Sequence, residues 1–429
     1  MSRRRVVITG IGMVAPLGLT VEENWQGMLA GRSGAAPIRH FDARTFPTTF
    51  ACQVPPFDLG DYCDHPEDFA QCTSNARFAI AASRQAYDQS GLAAAKFDRE
   101  RFGIYMASGE GSTDFPAFTR TVFQSIKDGA VDPSLYYACG MKNYNGFREL
   151  EQEPGRVAVH LARLYQALGP NSNSLTACAA STQAIGEATM LLRRGDADVM
   201  LTGGSHSMIH PLGVMGFNLL TALATEPRDE PTRASRPFDR HRSGFVLGEG
   251  STMLVLEGLD HALARKAAIL GEIIGFGSSA DAYRMTDIHP EGRGPLACLE
   301  AAVADAGIDR RQIDYVNAHG TSTKENDKIE TLTLKRFFGD HARNVPVSSI
   351  KSSMGHLIAA AGATELVACV LAIRDQILPP TINYRDPDDD LDLDYVPNTA
   401  RKAKVEIALS ESFGFGGQNN ALIVRRYQP

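Results

Sequence analysis

An α/β fold built from two related halves is what this 429-residue sequence predicts, and three observations carry the expectation. Strand-like and helix-like segments alternate along most of the chain, the pattern of a parallel-core α/β body. Apolar strand segments run straight into glycine turns at Val6-Val-Ile-Thr-Gly-Ile-Gly12, Phe102-Gly-Ile-Tyr-Met-Ala-Ser-Gly-Glu-Gly111 and Ala197-Asp-Val-Met-Leu-Thr-Gly-Gly204. The same rhythm begins again at about residue 259, with a reactive stretch at corresponding strand ends in each half, although the two halves share little sequence. Division into 1–258 and 259–429 follows.

The first strand lacks a dinucleotide fingerprint, because Gly10-x-Gly12 is followed only by Gly18, so its glycines read as a tight turn. Thr20-x-x-Glu23 is a capping box that opens a helix carrying Trp25, Met28 and Leu29. Residues 36–72, rich in Pro, Asp and aromatics, are expected to be irregular, and a helix follows over about 74–89. After the strand at 102–111 the weakly patterned stretch to about 150 reads as a long loop of the kind that binds something. A helix is expected over about 155–167, and Gly244-Phe-Val-Leu-Gly-Glu-Gly-Ser-Thr-Met-Leu-Val-Leu256 reads as a strand pair. In the second half, helices are expected at 259–266, 295–306 and 357–376, and strands at 269–277, 313–319, 345–350, 405–411 and 420–425.

Composition narrows the function. Hydrophobic residues at 43% and charged residues at 22% are ordinary for a globular chain, and no apolar run approaches the ~18 residues of a membrane span. Met1-Ser-Arg-Arg-Arg-Val leads into a strand rather than a signal-peptide core, so a cytoplasmic location is the default expectation. Seven scattered cysteines without a C-x-x-C suggest neither a disulfide framework nor a zinc site. A net charge of −7 argues against nucleic acid as the main partner. The acidic run Asp386 to Asp394 lacks the glycine and terminal glutamate of a calcium loop and reads as exposed. His206 and His210, four apart with no third ligand candidate, suit a pocket or interface better than a metal.

The chemistry centres on Asn173-Ser-Leu-Thr-Ala-Cys-Ala-Ala-Ser-Thr-Gln-Ala-Ile-Gly-Glu-Ala188, which contains Cys178 and leads into a helix-favouring run that continues to Leu192. A cysteine at a turn into a helix meets free N–H groups and the positive end of the helix dipole, which favour the thiolate. Small neighbours would let a thioester carbonyl approach; a cysteine simply buried under an alanine-rich helix fits the same stretch. Of eleven histidines, His319 in Asn317-Ala-His-Gly-Thr-Ser-Thr323 and His356 in Lys351-Ser-Ser-Met-Gly-His356 stand at glycine turns near strand or helix ends.

Together with Lys351 and Phe415, the latter in Ser412-Phe-Gly-Phe-Gly-Gly-Gln-Asn419, these residues resemble the β-ketoacyl-acyl-carrier-protein synthases, in particular the elongating branch with a Cys-His-His site. The likeness includes Ser235-Arg-Pro-Phe-Asp-Arg, the 244–250 motif and Pro379-Pro-Thr-Ile-Asn, so it spans nearly the whole chain. It implies a thiolase-like fold, two related halves forming a layered α-β-α-β-α body, and a dimer of identical or related subunits. It also implies an acyl carrier protein as partner, with substrates held on its phosphopantetheine and no cofactor or metal on the enzyme. By the resemblance Cys178 takes the acyl group, N–H groups of Cys178 and Phe415 hold the oxyanion, and His319 and His356 stabilise the enolate left by malonyl decarboxylation. Lys351 and Glu365 pair around His356, Thr321, Thr323 and Phe413 contact substrate, Glu330 and Asp327 support, and Phe415 gates the acyl pocket.

The chain departs from the family at several places. Lys324-Glu-Asn326 replaces the usual Pro-x-Gly, Gln418 the usual Thr, and Glu110 an apolar residue facing the acyl chain, where a carboxylate is costly. The 136–146 segment is unlike the apolar pocket wall, and His65-Pro-Glu-Asp-Phe-Ala-Gln-Cys72 is acidic where an acidic carrier would dock, leaving Arg77, Arg193, Arg194 and Arg228 as candidates. The departures at Glu110 and 136–146 point to an acyl chain that is not plainly saturated, in a specialised type II polyketide or polyene system with a non-identical partner. A non-catalytic chain-length subunit would lack Cys178, and a degradative thiolase would need a second reactive cysteine near the C-terminus.

Overall fold

The computed structural model describes residues 4–429. Ten strands form the main sheet: β1 (Val6–Val14), β2 (Phe102–Ser108), β3 (Asn171–Ser174), β4 (Val199–His206), β5 (Gly250–Gly258), β6 (Gly271–Ala280), β7 (Tyr315–Asn317), β8 (Val347–Ser348), β9 (Ile407–Gly414) and β10 (Gln418–Arg425). Every residue of β1, β4 and β5 is buried, which explains why they read as continuous apolar runs rather than alternating ones. The strand order is β8-β7-β9-β10-β6-β1-β5-β4-β2-β3.

Read outward from the β1–β6 junction, each half has its strands in the same sequence: first, fifth, fourth, second, third. Directions agree as well. The two outer pairs of each half are parallel and the inner ones antiparallel, so the sheet is mixed and the parallel core covers only β2, β3 and β4 and their counterparts β7, β8 and β9. The halves are joined at Val6↔Ile273, Val7↔Glu272 and Ile8↔Gly271.

Thirteen helices complete the layers among the described residues: α1 (Val21–Leu29), α2 (Ser74–Ser90), α3 (Phe115–Gln124), α4 (Pro133–Asn143), α5 (Gly146–Leu150), α6 (Arg156–Tyr165), α7 (Ala180–Arg194), α8 (Pro211–Leu219), α9 (Leu259–Ala264), α10 (Arg293–Ala306), α11 (Lys324–Phe338), α12 (Lys351–Met354) and α13 (Ala361–Asp375). Helices α7 and α13 touch each other and both halves of the sheet, forming the central layer; α2 and α6 cover one outer face, α10 and α11 the other. Thirteen of the fifteen α13 residues are buried, which is why that helix is apolar all round. Where α7 and α13 cross, a Cβ on Gly362 would lie 1.8 Å from Thr182 Oγ1, so no other residue fits there.

Three expectations change. The 112–150 stretch holds α3, α4 and α5 instead of a loop, each started by a side chain that accepts from first-turn N–H groups: Asp114, Asp132 and Asn145. The strand pair at 244–256 is one strand, β5, preceded by an extended run that makes isolated bridges, including Leu247 to His356. The acidic run is exposed in large part, but ion pairs tie it down, Asp388 to Arg242 at 2.8 Å and Asp389 to Arg240 at 2.9 Å. No helix among the described residues is long and apolar enough to cross a membrane.

Candidate active site

Cys178 lies in a one-turn 3₁₀ segment, Ala177–Ala179, between β3 and α7. Ala177 has φ of +47°, a left-handed conformation that costs a residue with a Cβ roughly 1–3 kcal/mol and turns the chain sharply enough to present the sulfur. Alanines at 107, 180, 184 and 359 form one buried cluster beside the turn, adding Ala107, Ala184 and Ala359 to the small neighbours on either side of Cys178 in the sequence. Gly414 completes the approach: a Cβ there would sit 3.0 Å from Thr176 O and 3.2 Å from Cys178 N. The backbone N–H groups of Phe415 and Cys178 bear on the sulfur.

The resting sulfur is nevertheless a thiol. Burial pushes it up to about 11, and the opposing pull of Lys351 and the two N–H groups does not restore the ordinary value. Against the helix-end expectation of a thiolate, burial of the charged form outweighs the pull of Lys351 and the two N–H groups.

His319 follows β7 and His356 follows α12. Their ring centroids are 5.4 Å apart and nearly perpendicular. The Cys178 sulfur and one nitrogen of each ring lie within 4.8 Å of one another, although the residues are up to 178 positions apart in the chain. Lys351 Nζ donates to His319 O at 2.6 Å, sits 3.3 Å from His319 Nδ1, and pairs with Glu365 in a fully buried ion pair. The pair therefore contacts His319 directly, and Lys351 reaches His356 through its charge rather than through a hydrogen bond. His356 is held instead by backbone: its N–H donates to Val246 O at 2.8 Å, and its Nδ1 accepts from Ile358 N at 3.3 Å.

These contacts set the tautomers. An Nδ1 that accepts leaves Nε2 carrying the hydrogen, and His356 Nε2 has no hydrogen-bond partner among the described residues, so it is free to donate into the cavity. Burial first, then Lys351, holds both imidazoles well below the ordinary histidine range, with His356 adding to the effect on His319 and His206 to that on His356. Both rings are thus neutral donors at neutral pH.

A cavity of about 360 Å³ brings together Cys178, His319, His356, Thr321, Thr323, Phe413 and Phe415. Thr321 and Thr323 hydroxyls are 2.9 Å apart at its rim, and the Phe413 ring lies 5.7 Å from that of His319. Lys351, Glu365, Glu330 and Asp327 stand behind the wall. Glu330 accepts from His319 N at 2.6 Å and Gly320 N at 2.7 Å, and Asp327 from Phe238 N at 2.8 Å and Ser322 N at 3.2 Å, so the two carboxylates shape the 319–323 loop. Glu110 is exposed and does not line the cavity. His206 takes a hydrogen bond from Ala359 N at 3.4 Å, and His210 caps α8 through Gly213 N at 3.2 Å. Of the basic candidates, Arg193 is 6% exposed and pairs with Asp305 at 2.8 Å, which removes it from any docking surface.

Sequence reasoning passed over Phe217, Phe245, Thr286 and Asn326 in the lining, and Phe245 stacks edge-on against His356 at 5.2 Å. It also passed over Glu411, which precedes the quoted Ser412 motif and is wholly buried beside Glu330. Two enclosed carboxyls cannot both ionise, and burial together with Glu330 drives Glu411 well above the ordinary value while Glu330 rises to about 7. One proton is therefore shared. A carboxyl raised on folding contributes stability below its unfolded pKa and loses it as pH rises towards the folded value. Unfolding free energy should fall between pH 4.5 and 7 by on the order of 1 kcal/mol per pH unit from this pair, and Glu411→Gln should flatten that slope while still donating to Glu330. Urea unfolding at stepped pH measures it; an unchanged slope in the variant would remove the shared proton.

Comparison with known proteins places this geometry. The family models "Beta-ketoacyl synthase, N-terminal domain" and "Beta-ketoacyl synthase, C-terminal domain" match residues 3–262 and 270–385. Relatives named 3-oxoacyl-[acyl-carrier-protein] synthase 2 include those of Coxiella burnetii, 43% identical, and Vibrio harveyi, 42% identical, each over 99% of both chains. Among solved structures, a β-ketoacyl synthase from Burkholderia phymatum superposes with a TM-score of 0.89 at 32% identity, covering 99% of this chain and all of that one. The ishigamide ketosynthase/chain length factor superposes at 0.86 with 35% identity over the whole of both chains. A type II PKS ketosynthase solved with its acyl-carrier protein and a hexaketide gives 0.88 at 33% identity, with 99% of this chain and all of the other covered. With both family regions matched in order and relatives alike from end to end, the chain belongs to the β-ketoacyl synthase family.

Proposed function

We propose that the enzyme elongates an acyl chain by two carbons through decarboxylative Claisen condensation of malonyl-acyl-carrier protein with an acyl group on Cys178. The observation that carries the reading is the convergence of one thiol and two neutral imidazoles within 4.8 Å in one cavity. In the first stage the Cys178 sulfur attacks the thioester carbonyl of acyl-carrier protein. The developing oxyanion is met by the N–H groups of Cys178 and Phe415, and collapse releases the carrier's phosphopantetheine thiol.

In the second stage the malonyl thioester oxygen lies between the Nε2–H groups of His319 and His356. Loss of CO2 leaves an enolate whose charge the two hydrogen bonds stabilise; because both rings are neutral, neither hands a proton to the carbanion. The carbanion attacks the acyl carbonyl, the carbon–sulfur bond to Cys178 breaks, and a 3-oxoacyl-carrier protein departs. Lys351 and Glu365 position His319, Glu330 and Asp327 fix its loop, and Thr321, Thr323 and Phe413 line the path of the pantetheine arm, with Phe415 as gate.

The chain divides functionally near residue 258, the N-terminal half supplying the sulfur and the C-terminal half the histidines and Phe415. The enzyme works in the cytoplasm, without a cofactor of its own, on substrates delivered by an acyl carrier protein, and as a dimer. Phe123, Tyr137, Met141 and Phe147, each at least 70% exposed on α3 to α5, form the apolar face that a second, related subunit covers.

A second reading, a type II polyketide or polyene ketosynthase with a non-identical partner, is favoured by the likeness to the ishigamide ketosynthase/chain length factor and to the type II PKS ketosynthase solved with its acyl-carrier protein. Purified enzyme given a panel of acyl-carrier proteins and malonyl-carrier protein should yield 3-oxoacyl products two carbons longer, read by intact mass. Preference for unsaturated or oxidised chains would select the second reading, and no product from any chain would sink both.

A further inference from the structure

The geometry points to a divalent-cation site of zinc type formed by Cys72, Glu151 and His160, outside the reaction cavity and independent of its chemistry. Cys72 stands two residues before α2, Glu151 just after α5, and His160 on α6. A sulfur, a carboxylate oxygen and an imidazole nitrogen from these three lie within 4.8 Å of one another. Cys72 Sγ is 3.4 Å from His160 Nε2, and the same nitrogen is 2.7 Å from Glu151 Oε2.

A thiol, an imidazole and a carboxylate also make a nucleophile with its base and orienting acid. That chain needs the sulfur on one ring nitrogen and the carboxylate on the other. Here both meet Nε2, so the donors converge on one point. Convergence suits an ion: tetrahedral zinc holds S, N and O ligands at about 2.0–2.3 Å, which separates the ligands by roughly 3.5 Å. The sulfur–nitrogen spacing already fits, and the hydrogen bond needs to open by less than about 1 Å.

The surroundings agree. Glu151 and His160 are 7% and 9% exposed, while Cys72 is half-buried and leaves room for a water as fourth ligand. The Phe69 ring packs edge-on against His160 at 5.5 Å and shields one side. Arg156 contacts Glu151 through Oε1 at 3.2 Å, leaving Oε2 for the ion, so one carboxylate serves both. A mixed sulfur, nitrogen and oxygen set selects zinc over calcium or magnesium, which take oxygen alone. Burial and Glu151 push the Cys72 thiol up to about 12, so the ion must displace that proton to solvent, one per site.

Such a site would fasten three separate segments. Gly111 N donates to Gln152 O at 3.0 Å beside Glu151, so the loop bearing Glu110 is tied to the same point as α5 and α6. The ligands stand 88 and 9 positions apart, which hides them from any short Cys/His spacing rule.

The test is titration of metal-stripped full-length enzyme with zinc alone, and separately with cobalt followed by absorption. Because Cys178, His319 and His356 also bring donors within 4.8 Å, the titrations use the Cys178→Ala background. One zinc equivalent, a thiolate-to-cobalt charge-transfer band and a higher melting temperature with zinc are expected there, and all three are expected to vanish on adding Cys72→Ser. His160→Gln, which keeps the thiol, should also lose the zinc equivalent, so the comparison holds even where one variant folds poorly. Absence of binding in Cys178→Ala, or a band that survives Cys72→Ser, would overturn the site.

Discussion

Replacing Cys178 with alanine is expected to abolish acyl loading and to lower condensation by on the order of 10³-fold or more, because no other thiol among the described residues lines the cavity. Intact-mass measurement after incubation with acyl-carrier protein reads the loading directly, as a mass increase of one acyl group in the parent and none in the variant. Loading or condensation that continues in the variant would show that the sulfur is not the acceptor. The wild-type sulfur carries a second, quantitative expectation. Since burial pushes the thiol up to about 11, only about 10⁻⁴ of it is thiolate at pH 7, and alkylation by iodoacetamide should rise roughly tenfold per pH unit between pH 7 and 9. A plateau in that range would mean that the sulfur ionises far more readily than its enclosure allows.

Removing either imidazole should separate the two stages. His319→Ala and His356→Ala are expected to keep acyl loading, which depends on backbone N–H groups, and to lose about 10²–10³-fold in malonyl decarboxylation, the usual cost of one donor to a developing oxyanion. Release of labelled CO2 from malonyl-carrier protein measures the second stage alone. The pH profile follows from the charge state. Both rings are held below the ordinary histidine range by burial and then Lys351, so they are neutral above their lowered values and charge only as pH falls through them. Decarboxylation should therefore be flat from pH 6 to 8 as far as these two groups are concerned. A step near the ordinary histidine pKa of about 6.5 would contradict the neutral-donor role.

Much of this molecule was legible in its sequence because its strands are buried on both faces and end at glycines. Continuous runs such as 6–14 and 199–206 read clearly for that reason. The reactive trio was legible through its neighbours: a collar of alanines marks Cys178, and glycine turns mark both histidines. What escaped did so for definable causes. The region from α3 to α5 has weak apolar patterning, since three short helices with outward-facing Phe123, Tyr137 and Phe147 do not show a core stripe; Asp114, Asp132 and Asn145 were the start signals available. Glu411 looked like one polar residue among serines, and only burial beside Glu330 gives it meaning. The reach of Lys351 to His319 rather than His356 is a matter of side-chain direction, which no linear spacing encodes.

The matching of the two halves extends to their central helices. Each is entered by a 3₁₀ turn whose first residue has a positive φ, Ala177 at +47° and Ile358 at +51°, and each helix starts three residues later, at Ala180 and Ala361. The residue that corresponds to Cys178 is therefore Ala359, a methyl group where a second sulfur would stand. A scaffold with two equivalent berths has armed only one, so a growing chain cannot be passed across the molecule from sulfur to sulfur. With Cys178 the one thiol lining the cavity among the described residues, the proposed acyl intermediate has a single covalent seat.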